Sequence, residues 1–172
     1  MGSPKAGGNT EALVSAFRKG AESAGHSVHI FNVCRMNIHP CTDCRYCYEH
    51  RGACAIKDDM AQIYPHLYTD DVIVFATPVY WWGVTAQLKL VIDKFYARAT
   101  RLGKGKRIAT VVIGGAELDD PEYEIIQKQF ACIADYLEWE IVFAKSIFAT
   151  GPKDLAGDEE ALAELEAFGA GL

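Results

Sequence analysis

The chain has 172 residues, of which 50% are hydrophobic and 23% are charged, and its formal net charge is −6. This length predicts one domain, spanning residues 1–172, that buries about 70% of its unfolded surface. The negative charge argues against a nucleic-acid binder, which needs clustered Lys and Arg against phosphates. The sequence shows neither an 18-residue apolar run nor an apolar stretch behind Met1. We therefore expect no membrane span and no signal peptide.

Six cysteines give the first chemical signal. Four of them, Cys41, Cys44, Cys47 and Cys54, fall within fourteen residues. A chain without a secretion signal is expected in the reducing, cytoplasmic compartment, where clustered cysteines more often bind metal than form disulfides.

Apolar strands and amphipathic helices alternate along the chain. Strands are predicted at 28–33, 72–76, 108–113 and about 140–147. Helices are predicted at 10–24, 58–68 (which Pro65 kinks or divides), 84–100, about 120–137 and about 157–168. The cysteine-rich residues, about 34–57, are predicted to be an inserted loop. The runs at 72–76 and 108–113 are continuously apolar, which suits parallel strands buried on both faces. The order predicts a doubly wound α/β sheet, in which ligands bind beyond the carboxyl ends of the strands.

The first ligand-binding candidate is the loop at residues 2–10, directly before a helix. Gly7 and Gly8 allow the backbone to turn with exposed N–H groups, while Ser3, Asn9 and Thr10 add side-chain donors. Together with the helix N-terminus, these donors suit a phosphate monoester. The loop matches neither a P-loop nor the dinucleotide fingerprint. A flexible start with Asn9 as an ordinary N-cap is the alternative.

Two further loops follow predicted strands. Residues 77–83 carry three consecutive aromatics between Pro78 and Gly83, and such rings can wall a flat, apolar ligand site. Packing in the core or at a subunit interface is the alternative. Gly114 and Gly115 would let a ligand approach the backbone, and a plain turn is the alternative there.

Two stretches resemble the flavodoxin-like NAD(P)H-dependent FMN reductases. Residues 2–10 read Gly-Ser-Pro-Lys-x-Gly-Gly-Asn-Thr, and residues 78–94 read Pro-Val-Tyr-Trp-Trp-Gly-Val-Thr-Ala-Gln-Leu-Lys-x-x-Ile-Asp-Lys. The cysteine segment narrows the resemblance to the iron–sulfur flavoprotein branch. The resemblance runs from residue 2 to about 95 and more loosely to the C-terminus. It implies a three-layer α/β/α fold with FMN at the carboxyl edge of a five-stranded parallel sheet.

By position, the resemblance assigns the FMN contacts. The phosphate would be held by Ser3, Lys5, Asn9 and Thr10. The isoalloxazine ring would be lined by Pro78, Val79, Tyr80, Trp81, Trp82 and Gly83. Its other side would be closed by Gly114 and Gly115. The family more often carries Arg where this chain has Lys5, and Lys lacks the bidentate fork of Arg.

The sequence departs from the family at its start. The family places a hydrophobic central strand before the phosphate loop, whereas Met1 directly precedes the loop here. A missing central strand leaves unpaired backbone groups on both neighbours. Either the sequence is truncated at the N-terminus or another segment fills the slot, and we favour truncation.

The spacing of the clustered cysteines is C-x2-C-x2-C-x6-C. Three ligands two residues apart wrap one cluster compactly, as in ferredoxin-type runs, whereas zinc more often takes two separated pairs. The spacing also resembles the four-iron–four-sulfur motif of iron–sulfur flavoproteins. Zinc and free, redox-active thiols stay as alternatives. His39 and His50 are expected as solvated loop residues, and Cys34 and Cys132 as core thiols.

The function expected from this resemblance is an FMN-dependent oxidoreductase that couples FMN to a 4Fe–4S cluster. NAD(P)H or a redox partner protein would supply electrons, and a homodimer or homotetramer is expected. No side chain is expected to act as a nucleophile. One alternative is an NAD(P)H-dependent FMN or quinone reductase without a cluster. Another is a non-enzymatic interaction module whose cysteines bind zinc.

Overall fold

The computed structural model describes residues 1–97 and 102–172. In these residues a parallel sheet has three strands in the order β1 (Val72–Pro78), β2 (Arg107–Gly114), β3 (Glu140–Phe148). Val72 pairs with Arg107 and Pro78 pairs with Ile113, so the carboxyl ends of β1 and β2 lie side by side. Gly114 pairs with Phe148 at the same edge. The doubly wound α/β prediction is confirmed, and strands predicted at three places lie there.

Six helices in the described residues accompany the sheet. They are α1 (Asn9–Ser23), α2 (Tyr46–Glu49), α3 (Met60–Thr69), α4 (Ala86–Asp93), α5 (Pro121–Leu137) and α6 (Glu159–Ala170). Pro65 lies inside α3 and does not divide it. The helix predicted at 84–100 ends earlier, in a 3₁₀ turn at Lys94–Ala97, and its predicted residues 98–100 lie outside the described residues. No helix in the described residues is long and apolar enough to cross a membrane.

The two faces of the sheet bury two separate apolar clusters. Ile108 and Val112 of β2 pack in one cluster with side chains from α3, α4 and α5. Val111 and Ile113 point the other way and pack with side chains from α1 and α6. This alternation follows from the two-residue period of a strand, and it gives the three layers of a doubly wound fold.

The first and last helices approach each other very closely. A Cβ on Gly20 of α1 would lie 1.8 Å from the carbonyl oxygen of Glu166 of α6. A Cβ on Gly169 would lie 2.3 Å from the carbonyl oxygen of Phe17. Only glycine permits these backbone contacts, which fix α1 and its N-terminal loop against the C-terminal helix.

The strand predicted at 28–33 is wrong: the structure has no strand there and forms a 3₁₀ turn at Val33–Arg35. The apolar pattern is present, but a strand needs a hydrogen-bonding neighbour. The backbone bonds of this segment to the start of the chain run from the Met1 amine to the Phe31 carbonyl (2.9 Å) and from Val33 N–H to the Met1 carbonyl (3.1 Å). The described sheet accordingly has three strands rather than the five that the resemblance implies.

A cavity of about 430 Å³ separates this segment from β1. Its walls include Val28, Ile30, Val72 and Val74. Gly2 closes one end, because its N–H donates to the carbonyl of Ala76 in β1 at 2.8 Å. Met1 and Gly2 therefore bond to both walls of the cavity.

Candidate functional site

The predicted phosphate loop lies at the carboxyl edge of the sheet, ahead of α1. Its Ser3 and Thr10 are buried, whereas Lys5 is exposed. Gly7 has φ +60° and its N–H donates to the Glu11 carboxylate at 2.8 Å. A carboxylate oxygen thus already binds a loop amide, which shows that the loop presents a donor suited to an anion.

Asn9 is not the N-cap of α1; Gly8 is, with no side-chain cap bond. The Asn9 amide instead donates to the Gly151 carbonyl at 2.8 Å and accepts from Leu155 N–H at 3.1 Å. The side chain is therefore engaged in joining the phosphate loop to the segment after β3. Sequence periodicity cannot show this, because the partners lie more than 140 residues away.

The aromatic loop forms a tight turn directly after β1. Tyr80 and Gly83 exchange both backbone hydrogen bonds, at 2.8 and 3.1 Å. Trp81 and Trp82 between them have φ of 48° and 54°, the pattern of a type I′ turn, which favours Asn-Gly over bulky residues. Trp81 is 91% exposed and Trp82 48% exposed. Two large apolar rings are thus held in a strained, solvent-facing turn, and such strain concentrates at functional sites.

The structure brings the three predicted loops to one edge. Val79 N–H donates to the Ile113 carbonyl at 2.7 Å, which fixes the aromatic turn beside the glycine pair at 114–115. Thr85, the N-cap residue of α4 just after the aromatic loop, donates its hydroxyl to the Gly2 carbonyl at 2.8 Å and so ties the start of α4 to the phosphate loop. The predicted contacts with a ligand itself remain predictions.

Glu122 is a polar residue at this edge that the sequence analysis missed. A Cβ on Gly114 would lie 2.1 Å from its Oε1 atom. That oxygen is buried and has no hydrogen-bond partner in the described part of the chain. Neighbouring Tyr123 donates its hydroxyl to the Ala116 carbonyl at 2.6 Å. Burial, reinforced by nearby carboxylates, raises the pKa of Tyr123 to about 12. In the sequence, Glu122 lies two residues after the N-cap residue Asp120. Acidic residues are common in the first turn of a helix, so this position does not mark Glu122 as a candidate ligand contact.

All four clustered cysteines line one small cavity of about 30 Å³, together with Tyr48, Lys94 and Tyr96. All four cysteines lie in the part of the chain that the structure describes. In that part, no three of their sulfur atoms lie within 4.8 Å of one another. A single zinc ion requires its ligands closer together than this. The shared cavity brings the four thiols to one place, as a cluster with one thiolate per iron requires.

The other cysteines and the nearby histidines have different surroundings. Cys132 is exposed on α5, so the expectation of a core thiol is wrong there. Its helical neighbours are apolar, but the residue falls on the outer face. Cys34 is half-buried, and burial raises the pKa of its thiol. His39 and His50 are exposed, and the ring of His50 stacks on Tyr46 with centroids 3.5 Å apart.

Two curated relatives of this chain are named iron-sulfur flavoproteins. The chain is 36% identical over 121 residues to an iron-sulfur flavoprotein of Archaeoglobus fulgidus, covering 69% of this chain and 62% of the relative. It is 32% identical over 117 residues to an iron-sulfur flavoprotein of Methanosarcina thermophila, covering 67% and 61%. The chain thus spans about 60% of the length of these relatives.

Solved structures agree with the fold. A Trp repressor binding protein from Bacillus subtilis superposes with a TM-score of 0.65 at 21% identity, covering 96% of this chain and 94% of that one. An NAD(P)H:quinone oxidoreductase from Methanothermobacter marburgensis superposes with a TM-score of 0.72 at 18% identity, covering 99% and 90%.

The family model described as NADPH-dependent FMN reductase matches residues 1–127. This match includes the phosphate loop, the cysteine segment, the aromatic turn and the glycine pair. The chain belongs to the NADPH-dependent FMN reductase family.

Proposed function

We propose that this chain is an FMN-dependent oxidoreductase in which a 4Fe–4S cluster exchanges electrons with the flavin. The observation that carries the proposal is the convergence of three loops at the carboxyl edge of β1 and β2. One loop offers anion donors, one offers exposed aromatic rings, and one offers bare backbone. Ligands of doubly wound sheets bind at this edge.

The phosphate group would bind at the loop before α1. Gly7 N–H, now donating to Glu11, is oriented toward an anion, and Lys5 adds a mobile positive charge. Ser3 and Thr10 add buried hydroxyls. Asn9 would hold the loop in place through its bonds to Gly151 and Leu155. Glu11 must release Gly7 when a phosphate binds, because two anions would otherwise compete for one donor.

The flavin ring would lie against the turn Tyr80–Gly83 and the glycine pair at Gly114 and Gly115. Trp81 and Trp82, whose ring centroids are 5.8 Å apart, supply the apolar area. Oε1 of Glu122 lies beside Gly114 and lacks a hydrogen-bond partner among residues 1–97 and 102–172, so it would accept a hydrogen bond from a donor on the polar edge of the ring. Bound FMN supplies hydride and one-electron chemistry, while these residues bind and orient it.

Cys41, Cys44, Cys47 and Cys54 would ligate the cluster. Two observations support this: their shared cavity and the names of the relatives. NAD(P)H or a redox protein would deliver electrons. A homodimer or homotetramer would cover Trp81, whose 91% exposure is unusual for an indole in water.

A variant of the aromatic turn tests the flavin site. Trp81→Asn/Trp82→Gly removes both rings and installs the sequence that a type I′ turn prefers. We expect FMN affinity to fall at least about tenfold, because stacking area is lost, while the free energy of unfolding does not decrease. Tyr136→Ala, which removes a 79% exposed ring on α5, is the control and leaves affinity unchanged. Equal FMN affinity in the parent and the double variant would exclude this turn as the ring site.

A reductase without a cluster is the second candidate. The solvent exposure of Cys41 and Cys44 favours it. Iron and acid-labile sulfide assays on anaerobically purified protein separate the two. About four irons per chain supports the cluster, and near-zero iron with bound FMN supports the simple reductase.

A further inference from the structure

We propose that His29, His66 and Asp70 form a binding site for a divalent transition metal such as Zn²⁺. One ligand atom from each residue lies within 4.8 Å of the others. Asp70 lies two residues before the start of β1, so the site lies at the amino edge of the sheet, opposite to the edge proposed for FMN. It is therefore independent of the proposed function.

The local structure places all three side chains on one side. His66 lies in the last turn of α3 and Asp70 is the C-cap residue of that helix, and His66 Nδ1 lies 3.1 Å from Asp70 Oδ2. His29 comes from the segment across the cavity, and its ring centroid lies 4.2 Å from that of His66. The ring of Phe31 lies 5.2 Å from that of His66 and limits its rotation.

The distances suit an ion held between the three groups. His66 Nδ1 lies 3.1 Å and His29 Nδ1 lies 3.9 Å from the same Asp70 oxygen, Oδ2. Ligands bound about 2.0–2.2 Å from zinc at tetrahedral angles are roughly 3.4 Å apart. The observed pair brackets this separation. His29 and Asp70 are too far apart for a direct hydrogen bond, but one ion can bind both.

Surrounding groups hold the carboxylate in position. The Thr69 hydroxyl donates to Asp70 Oδ1 at 2.9 Å, and that oxygen lies 3.3 Å from His66 Nδ1, while Oδ2 is the oxygen that faces both imidazoles. Such bonds to a ligand's second oxygen strengthen metal binding. The nearby ammonium of Lys106 donates to the main-chain carbonyls of Tyr68 and Asp70, at 2.9 and 2.7 Å, rather than to the carboxylate.

Two imidazole ligands beside one carboxylate suit Zn²⁺, Co²⁺ or Ni²⁺ better than Ca²⁺ or Mg²⁺, which prefer oxygen ligands throughout. The side chains of His29, His66 and Asp70 are 48%, 28% and 31% exposed. Because three protein ligands leave one tetrahedral position open, water or a small anion would complete the coordination.

Cobalt titration tests the site. In a Cys41→Ser/Cys44→Ser/Cys47→Ser/Cys54→Ser background, we expect one Co²⁺ per chain, with visible d–d absorption and no thiolate charge-transfer band. His66→Ala should lower the affinity by about 100-fold or more, and Thr69→Val by about tenfold. His39→Ala is the matched control, since His39 also has a carboxylate neighbour, Asp58 at 3.8 Å, but no second imidazole.

The intact chain gives a second measurement that does not depend on the folding of the serine background. There, His66→Ala should remove one bound Co²⁺ per chain, the one without charge-transfer absorption. Thiolate-free Co²⁺ binding that keeps the parent affinity in His66→Ala would overturn the proposal, as would a failure of either protein to bind a thiolate-free Co²⁺.

Discussion

The ammonium group of Lys94 and the carboxylate of Asp58 form an ion pair in which each side chain is only 1% exposed. Asp58 also accepts hydrogen bonds from the main-chain N–H groups of His39 (2.9 Å) and Met60 (3.1 Å). His39 precedes Cys41 and Asp58 follows Cys54. Lys94, in the turn after α4, therefore anchors both ends of the cysteine segment to the core.

Breaking this pair should destabilise the fold strongly. Lys94→Met leaves Asp58 buried without its counter-charge, and we expect a loss of about 3–5 kcal/mol in the free energy of unfolding. Urea denaturation measures it. Lys89→Met, which breaks an exposed pair with Asp93 one turn earlier, should cost less than about 1 kcal/mol. Similar losses in both variants would contradict the anchoring role.

The same pair sets a pH dependence. Burial alone would raise the pKa of Asp58, but Lys94 and the two N–H donors outweigh it and hold that pKa below its usual range. Its contribution is therefore present above pH about 4 and lost as pH falls further. The stability gap between parent and Lys94→Met should narrow in that acidic range, and a constant gap would argue against it.

Asn9→Ala should act on stability as well as on flavin binding. It removes the bonds to Gly151 and Leu155, so we expect about 1–3 kcal/mol less stability without FMN and weaker FMN affinity. Denaturation without ligand and an FMN titration measure the two effects separately. Glu159→Ala on α6 is a surface control. Unchanged values on both measurements would remove Asn9 from the site.

The cavity beside β1 should accept an added strand. An engineered Val-Leu-Val-Ile-Val extension ahead of Met1 would pair with β1 and with residues 28–32 and bury apolar side chains. We expect the midpoint of thermal unfolding to rise by several degrees. A Gly-Ser extension of equal length also removes the Met1 amine but adds no apolar area. Equal midpoints for the two extensions would show that the cavity does not take a strand.

Cys47→Ser should abolish the cluster and leave FMN bound, because the cysteine cavity and the flavin loops involve different residues. Iron content and flavin content, measured on the same anaerobic sample, report the two cofactors. Cys132→Ser, on the outer face of α5, is the control and should keep both. Loss of flavin together with iron would show that the two sites depend on each other.

Strands that leave a local pattern of apolar residues could be predicted from the sequence. The apolar runs at 72–76 and 108–113 became β1 and β2. Residues 108–114 of β2 are buried on both faces, as a continuous apolar run predicts, whereas the first three residues of β1 are only half-buried beside the cavity. Residues 28–33 carry a similar pattern but formed no strand, since pairing depends on a neighbour elsewhere in the chain. Glu122 and the Lys94–Asp58 pair escaped prediction because their burial arises only from tertiary packing.

The most direct test of the redox account is an anaerobic visible spectrum of the purified chain, followed by extraction and quantification of FMN, iron and sulfide. The account predicts flavin bands over broad iron–sulfur absorption, with one FMN and about four irons per chain after reconstitution. A colourless protein that binds neither FMN nor iron under those conditions would contradict it.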